Sequence, residues 1–160
     1  MLRLALVIAA VVLVLDQISK VWLLGVMEAN AYLPIEITGF FNLVMVWNEG
    51  VSFGMLDVGT DMMRWILMAF ALGVAVALLV WAHRAGGKVL TVGIGLIAGG
   101  AVGNALDRLF YGAVADFFDV HVSGYHWPAF NIADSAITIG VVLLLYDTLF
   151  NRRPDPKVSA

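Results

Sequence analysis

"LALVIAAVVLVLDQISKVWLLGVM", residues 4–27, decides the fold. A hydrocarbon core of about 30 Å is crossed by roughly 20 helical residues, and this run is long enough. Within lipid only a helix closes its backbone hydrogen bonds inside such a segment. Arg3 precedes the run, as in a secretory signal, but the run continues through Asp16 and Lys20 with no convincing small-residue cleavage site. It is therefore read as a retained helix. Asp16 and Lys20 stand four apart on one helix face. Either they pair, which offsets the cost of about 2.5–3.5 kcal/mol for a lone charge at mid-helix, or they support a site.

Working outward, three more apolar runs of spanning length lie at Met62–Trp81, Val89–Leu106 and Ala129–Phe150, beside the first at Leu4–Met27. With 62% hydrophobic and 13% charged residues and a mean hydropathy of +0.94, the chain has too little polar surface to coat a soluble globule. The expectation is an α-helical integral membrane protein with four transmembrane helices, residues 1–160 forming a single domain. A net charge of −3 gives no reason to expect nucleic acid. The absence of cysteine removes disulfides, thiolate metal sites and a cysteine nucleophile together.

Arg3, Arg84, Lys88, Arg152, Arg153 and Lys157 hold six of the nine basic residues and fall on one side of a four-span chain, so both termini are expected to be cytoplasmic. The connection 28–61 carries Glu28, Glu36, Glu49, Asp57 and Asp61 without a basic residue, as an outward-facing loop would. Its stretch "LPIEITGFFNLVMVWNEGVSFGML" (33–56) has β-branched and aromatic runs broken at Pro34, Thr38-Gly39 and Asn48-Glu49-Gly50, which predicts short strands. Open strands cannot face lipid, so a small extracytoplasmic β-sheet is placed on the membrane surface, as a platform for an extended peptide or as an interfacial anchor.

Gly95, Gly99 and Gly103 recur every fourth residue in the third run, with Gly100 beside them, which predicts a ridge for close helix packing. It leads to a polar group, Asn104, Asp107 and Arg108. Beyond it, "GAVADFFDVHVSGYHWPAFNIADS" (112–135) places Asp116 and Asp134 on either side of a membrane boundary. Asn131 and Asp134, with Thr138 a turn further in, are expected to face inward together. Asp134 is either a carboxylate that suits a helix N-terminus or a functional group.

Two close carboxylates tend to share one proton and titrate as a unit. One can then deprotonate a water while the other protonates a peptide carbonyl or leaving nitrogen, with no metal or cofactor. Rival chemistries lack parts: there is no His-Glu-x-x-His run, His83, His121 and His126 are scattered, and Ser135 stands in "ADSA" rather than in a Gly-x-Ser-x-Gly elbow. His121 and His126 are read as interfacial residues. Pairing of Asp116 with Asp119 ranks below pairing with Asp134, because Asp119 follows Phe117-Phe118 in what reads as a loop leading back to water. A different class, a proton-coupled transporter or assembly subunit, would use Asp16, Lys20, Arg108 and Asp134 as an ion path, but no internal repeat relates the two halves.

Five stretches in order, "LDQISK" (15–20), "WNEGVSFG" (47–54), "GGAVGNALDR" (99–108), "VADF" (114–117) and "FNIADSAI" (130–137), give the chain a resemblance to the lipoprotein signal peptidases, or signal peptidase II. These are bacterial four-helix aspartyl proteases of the cytoplasmic (inner) membrane. The resemblance implies Asp116 and Asp134 as catalytic residues. It implies Asp16, Lys20, Asn48, Asn104, Arg108 and Asn131 as supporting or substrate-binding residues that orient the pair, brace the bundle or hold substrate. The implied partners are membrane lipids and prolipoproteins whose cysteine bears a diacylglyceryl group. Cleavage would fall just before that cysteine, at the outer face, by a monomer without metal or cofactor. The segment with Phe117, Phe118, Tyr125 and Trp127 is expected to close over the site. "NEGVSFG" replaces the Ala-Ala-Phe version of many members, and Ala115 stands where Val is frequent; both bear on substrate contacts more than on chemistry.

Overall fold

A computed structural model describes residues 1–50, 60–84 and 86–150. The four helices are α1 (Leu2–Ala29), α2 (Thr60–Arg84), α3 (Lys88–Tyr111) and α4 (Ile132–Phe150). All four are long and apolar enough to cross a membrane. They carry Val7, Ile18, Trp22, Phe70, Val76, Ile139 and Leu145 exposed to the surroundings, which suits helices whose solvent is lipid.

α3 is the axis, packed against each of the other three helices. Its glycines make this possible. A Cβ at Gly95 or Gly99 would lie 2.8 or 2.6 Å from the carbonyl oxygens of Ala5 or Ala9 on α1, and one at Gly100 would lie 2.5 Å from that of Ala133 on α4. The predicted ridge is thus a two-sided packing surface, with Gly95 and Gly99 against α1 and Gly100 against α4. At the end of α3, Gly112 takes φ +85° and returns its N–H to the Arg108 carbonyl at 3.2 Å. This left-handed C-cap turns the chain out of the bundle.

One end of the bundle is covered by an antiparallel sheet of order β1-β2-β3-β4: β1 (Ile35–Thr38), β2 (Phe41–Asn48), β3 (Val114–Val122) and β4 (Tyr125–His126). The predicted strands of the first connection are β1 and β2; their continuation past Gly50 in "VSFG", together with Asp57, lies outside the described residues, as do Arg152, Arg153 and Lys157 of the tail. β3 is a strand where the sequence suggests a loop around Asp119. It pairs with β2 in the register Asn42↔Asp119, Val46↔Asp116 and Asn48↔Val114. That pairing joins segments far apart in sequence, which local turn signals do not report. Ser123 and Gly124, both with positive φ, form the two-residue turn into β4.

A cluster of Leu23, Met27, Ala115 and Phe117, with Leu43 and Met45 against it, seats the sheet on the end of α1. Side chains of this kind contribute about 1.5–3 kcal/mol each when taken out of water. Phe117 is 1% exposed, and Phe118 packs on Phe41 and Phe130 with centroids 6.0 and 5.7 Å away. These two phenylalanines therefore belong to the sheet's packing and not to a closing segment, while Tyr125 and Trp127 are 76% and 63% exposed.

Candidate active site

The sheet end of the bundle is where the carboxylates gather. Asp116 leaves β3 opposite Val46 of β2, is 1% exposed, and has both oxygens occupied. Asn48 Nδ2 donates to Oδ2 at 3.0 Å, and Asn131 Nδ2 donates to Oδ1 at 2.8 Å. Burial, and next the charge of Asp134, push the Asp116 carboxyl up to about 7, against the lowering effect of Asn48, Lys20 and Asn131.

Asp134 stands in the first turn of α4, in a reciprocal cap with Asn131. Asn131 Oδ1 accepts the Asp134 N–H at 2.9 Å, and Asp134 Oδ2 accepts the Asn131 N–H at 3.3 Å. This is the capping-box arrangement with Asn and Asp in place of Ser/Thr and Glu, and it explains the spacing of three in "NIAD". The other Asp134 oxygen accepts from Asn104 Nδ2 at 2.8 Å. Asn131 thus touches both aspartates, one through its side-chain amide and the other through its backbone.

Asn104 closes the ring of amides. Its Oδ1 accepts from Asn131 Nδ2 at 3.2 Å and from Lys20 Nζ at 3.2 Å. Lys20 pairs with Asp16 at 2.8 Å, as four-residue spacing allows, and also with Asp107 at 2.7 Å. Gln17 Nε2 joins the group, donating to Asp107 Oδ1 at 3.0 Å and to Asp16 Oδ2 at 3.2 Å. Arg108 Nη1 donates to the Asn104 carbonyl at 3.3 Å, and its other terminal nitrogen lies near Gly50. All eight residues implied by the resemblance, Asp16, Lys20, Asn48, Asn104, Arg108, Asp116, Asn131 and Asp134, meet in this one network. Asp107 and Gln17 are additional members. Asp107 adjoins Arg108 in the sequence cluster, and Gln17 stands out only as a polar residue in an apolar run.

Two expectations fail here. Thr138 is exposed: the face of α4 buried further along is Ala133, Ala136 and Gly140, and Thr138 has rotated off it. Asp119 does not lead back to water but sits buried in β3, three residues from Asp116 and so on the opposite face of the strand. There it accepts from Asn42 Nδ2 at 3.0 Å and meets His126 Nδ1 at 2.9 Å, and the His126 hydrogen bond holds its carboxyl below the ordinary range.

A cleft of about 420 Å³ opens onto Asp116, lined by Val46, Trp47, Asn48, Glu49, Gly50, Pro128 and Ala129. Its walls come from the end of β2 and from the segment leading into α4, so backbone and aromatic surface surround a single buried carboxyl. Among the described residues no group of three His, Asp or Glu side chains is arranged to hold a metal ion.

Four spanning helices and a carboxylate-bearing cleft under a small sheet define a polytopic membrane protein with a polar site at one end. Residues 8–150 match the family described as signal peptidase (SPase) II. The lipoprotein signal peptidase of Methylobacterium sp. (strain 4-46) is 46% identical over 150 residues, covering 94% of this chain and 91% of the relative. That of Caulobacter vibrioides is 49% identical over 145 residues, covering 90% and 85%. A bacterial membrane enzyme solved by the in meso method at 2.3 Å resolution superposes with a TM-score of 0.72 at 30% identity, covering 94% of this chain and 92% of that one. The chain belongs to the signal peptidase II family, and is a multi-pass membrane peptidase.

Proposed function

We propose that this peptidase is an aspartic endopeptidase that removes signal peptides from diacylglyceryl-modified bacterial prolipoproteins, cutting just before the lipidated cysteine, with Asp116 and Asp134 as the catalytic pair. The observation that carries this reading is the bridge through Asn131, which ties Asp116 and Asp134 to one residue. The substrate class comes from the relatives, named as lipoprotein signal peptidases.

Asp116 is assigned the shared proton, since its carboxyl titrates near neutrality. Asp134 is assigned the base, since it stands in the first turn of α4, where the helix dipole favours negative charge. Asp134 takes a proton from water as the oxygen adds to the scissile carbonyl carbon, and Asp116 gives its proton to the carbonyl oxygen. Asp134 then protonates the leaving nitrogen, the C–N bond breaks, and Asp116 regains its proton from the tetrahedral hydroxyl. General acid–base help of this kind contributes about 10²–10⁴-fold. Lipid recognition in the membrane would hold the bond between the aspartates, the positioning that makes attack by a single water effective.

Asn48, Asn104 and Asn131 orient the pair, and Arg108 reaches toward Gly50, one of the residues that line the cleft. By the distribution of basic residues, the protein sits in the inner membrane with both termini cytoplasmic and the site at the outer face. It is proposed to work as a monomer. Tyr125 and Trp127, exposed beside the cleft wall at Pro128, suit contact with headgroups or substrate.

The test is incubation of the purified protein in lipid with a prolipoprotein, with and without its diacylglyceryl group, and mass spectrometry of the products. Cleavage before the modified cysteine, and only of the lipidated form, is expected. Cleavage elsewhere, or equal cleavage of the unmodified form, would contradict the substrate assignment.

A further inference from the structure

We propose that Lys20, held between Asp16 and Asp107, is a strut that sets the separation of Asp116 and Asp134. This makes Asp107, with Lys20 and Asp16, a positioning residue for the reaction; the inference rests on the catalytic pair proposed above.

The geometry has three parts. First, Lys20 Nζ lies 2.8 Å from Asp16 Oδ2 on its own helix and 2.7 Å from Asp107 Oδ2 on α3, with all three side chains no more than 2% exposed. Water does not compete there, so both contacts are held short. Second, each carboxylate also grips a backbone N–H. Asp16 Oδ1 accepts that of Ala133 at 2.9 Å, and Asp107 Oδ2 accepts that of Ala115 at 3.2 Å. Ala133 directly precedes Asp134, and Ala115 directly precedes Asp116. Both alanines are fully buried, so neither N–H has solvent to turn to. Third, the strut is braced. Gln17 Nε2 spans the two carboxylates, and Gly103 leaves room for Asp16, since a Cβ there would lie 2.6 Å from its Oδ2.

The chain of contacts therefore runs from the start of α4 through Asp16, Lys20 and Asp107 to the start of β3. β3 and α4 each carry one member of the pair, and nothing in local sequence fixes their distance. Two carboxylates on one ammonium do so, each pinning the residue before an aspartate. A misplacement of about 1 Å at a site of this kind costs on the order of 10²-fold in rate.

The experiment separates length from charge. Lys20→Arg keeps the positive charge but replaces a compact ammonium on a flexible stem with a planar guanidinium. Asp107→Asn keeps size and an acceptor for Ala115 but removes one charge contact. Each is purified in lipid, checked for melting temperature, and assayed for kcat and KM on a lipidated prolipoprotein beside Asp116→Asn. The strut predicts that Lys20→Arg is folded with kcat lowered on the order of 10²-fold and KM within about twofold, and that Asp107→Asn shifts the same way by about tenfold.

Wild-type kcat in Lys20→Arg would overturn the strut, since charge alone would suffice. So would a loss expressed in KM alone, which would place the group in substrate binding. If Lys20→Arg does not fold, Asp107→Asn decides by the same criteria; if neither folds, the trio serves the bundle only and the strut falls. Activity surviving in Asp116→Asn would instead break the catalytic assignment, independently of what the two strut variants do.

Discussion

Two pairs of aspartates lie at the same end of the bundle, and they differ in what stands between them. Asp16 and Asp107 have the Lys20 ammonium between them, 2.8 and 2.7 Å away. Among the described residues the side chains that donate hydrogen bonds to the carboxylates of Asp116 and Asp134 are neutral amides, those of Asn48, Asn104 and Asn131, with the Arg108 guanidinium acting on both from further off. An ammonium stabilises two negative charges and fixes a geometry. Amides orient carboxylates without neutralising them, so burial and mutual repulsion drive one toward its protonated form. The comparison separates a pair suited to holding structure from a pair suited to moving protons. Asp119 is a third case: it faces the other side of β3 and is held by a histidine and an amide.

The largest effect that would sharpen this contrast is loss of the proton-moving pair. Asp116→Asn and Asp134→Asn are each expected to lower kcat on the order of 10⁴-fold, the upper end of general acid–base contributions, with the folded protein retained. Gel-shift assays on lipidated prolipoprotein check this, and substantial activity in either variant would erase the distinction. Next comes Asn131→Ala, which removes both the side-chain link to Asp116 and the cap on the Asp134 N–H. A loss on the order of 10²-fold in kcat and about 1 kcal/mol in stability is expected, read from kinetics and thermal melts.

Gly103→Ala attacks the other pair by packing alone, because the new Cβ would meet Asp16 Oδ2 at 2.6 Å. A destabilisation of about 1–3 kcal/mol is expected, visible as a lower melting temperature; an unchanged melt would mean the ammonium-held pair is not tightly seated. The smallest effect belongs to Asp119→Asn, expected to keep activity within about twofold, since it contacts neither oxygen of Asp116. Its carboxyl is held low by His126, so the stability it contributes is present above the ordinary carboxylate range and lost as pH falls below it. Melting curves at acid pH should show a shallower fall in the variant.

How far the sequence carried depends on the range of the interaction. The four helices were legible because an apolar run of spanning length is its own signal. The Gly95, Gly99 and Gly103 ridge was legible because small residues at helical spacing have one packing use. Asp16 with Lys20 could be seen as a local pair, and Asn131 with Asp134 as polar residues on one helical turn. Asp107 as the second partner of Lys20 could not be seen, because it requires knowing that α1 and α3 touch at that height. β3 was missed for the same reason: its partner, β2, is separated from it by two helices. Thr138 failed because a helical face predicted from one turn does not say where the neighbouring helix leaves off.

The central claim, that an amide-held aspartate pair shares a proton needed for cleavage, is tested most directly by the pH dependence of kcat/KM for the lipid-embedded protein, which reports the groups of the free enzyme. The Asp116 carboxyl is raised from 3.8 to about 7, so the proton it must give is present below that value and lost above it. The account predicts activity falling tenfold per pH unit on an alkaline limb centred near pH 7. The same shift makes stability decline as pH rises from about 3.8 toward 7, because the folded state binds the extra proton there. A kcat/KM that stays flat to pH 9 would contradict the shared proton and the role given to Asp116.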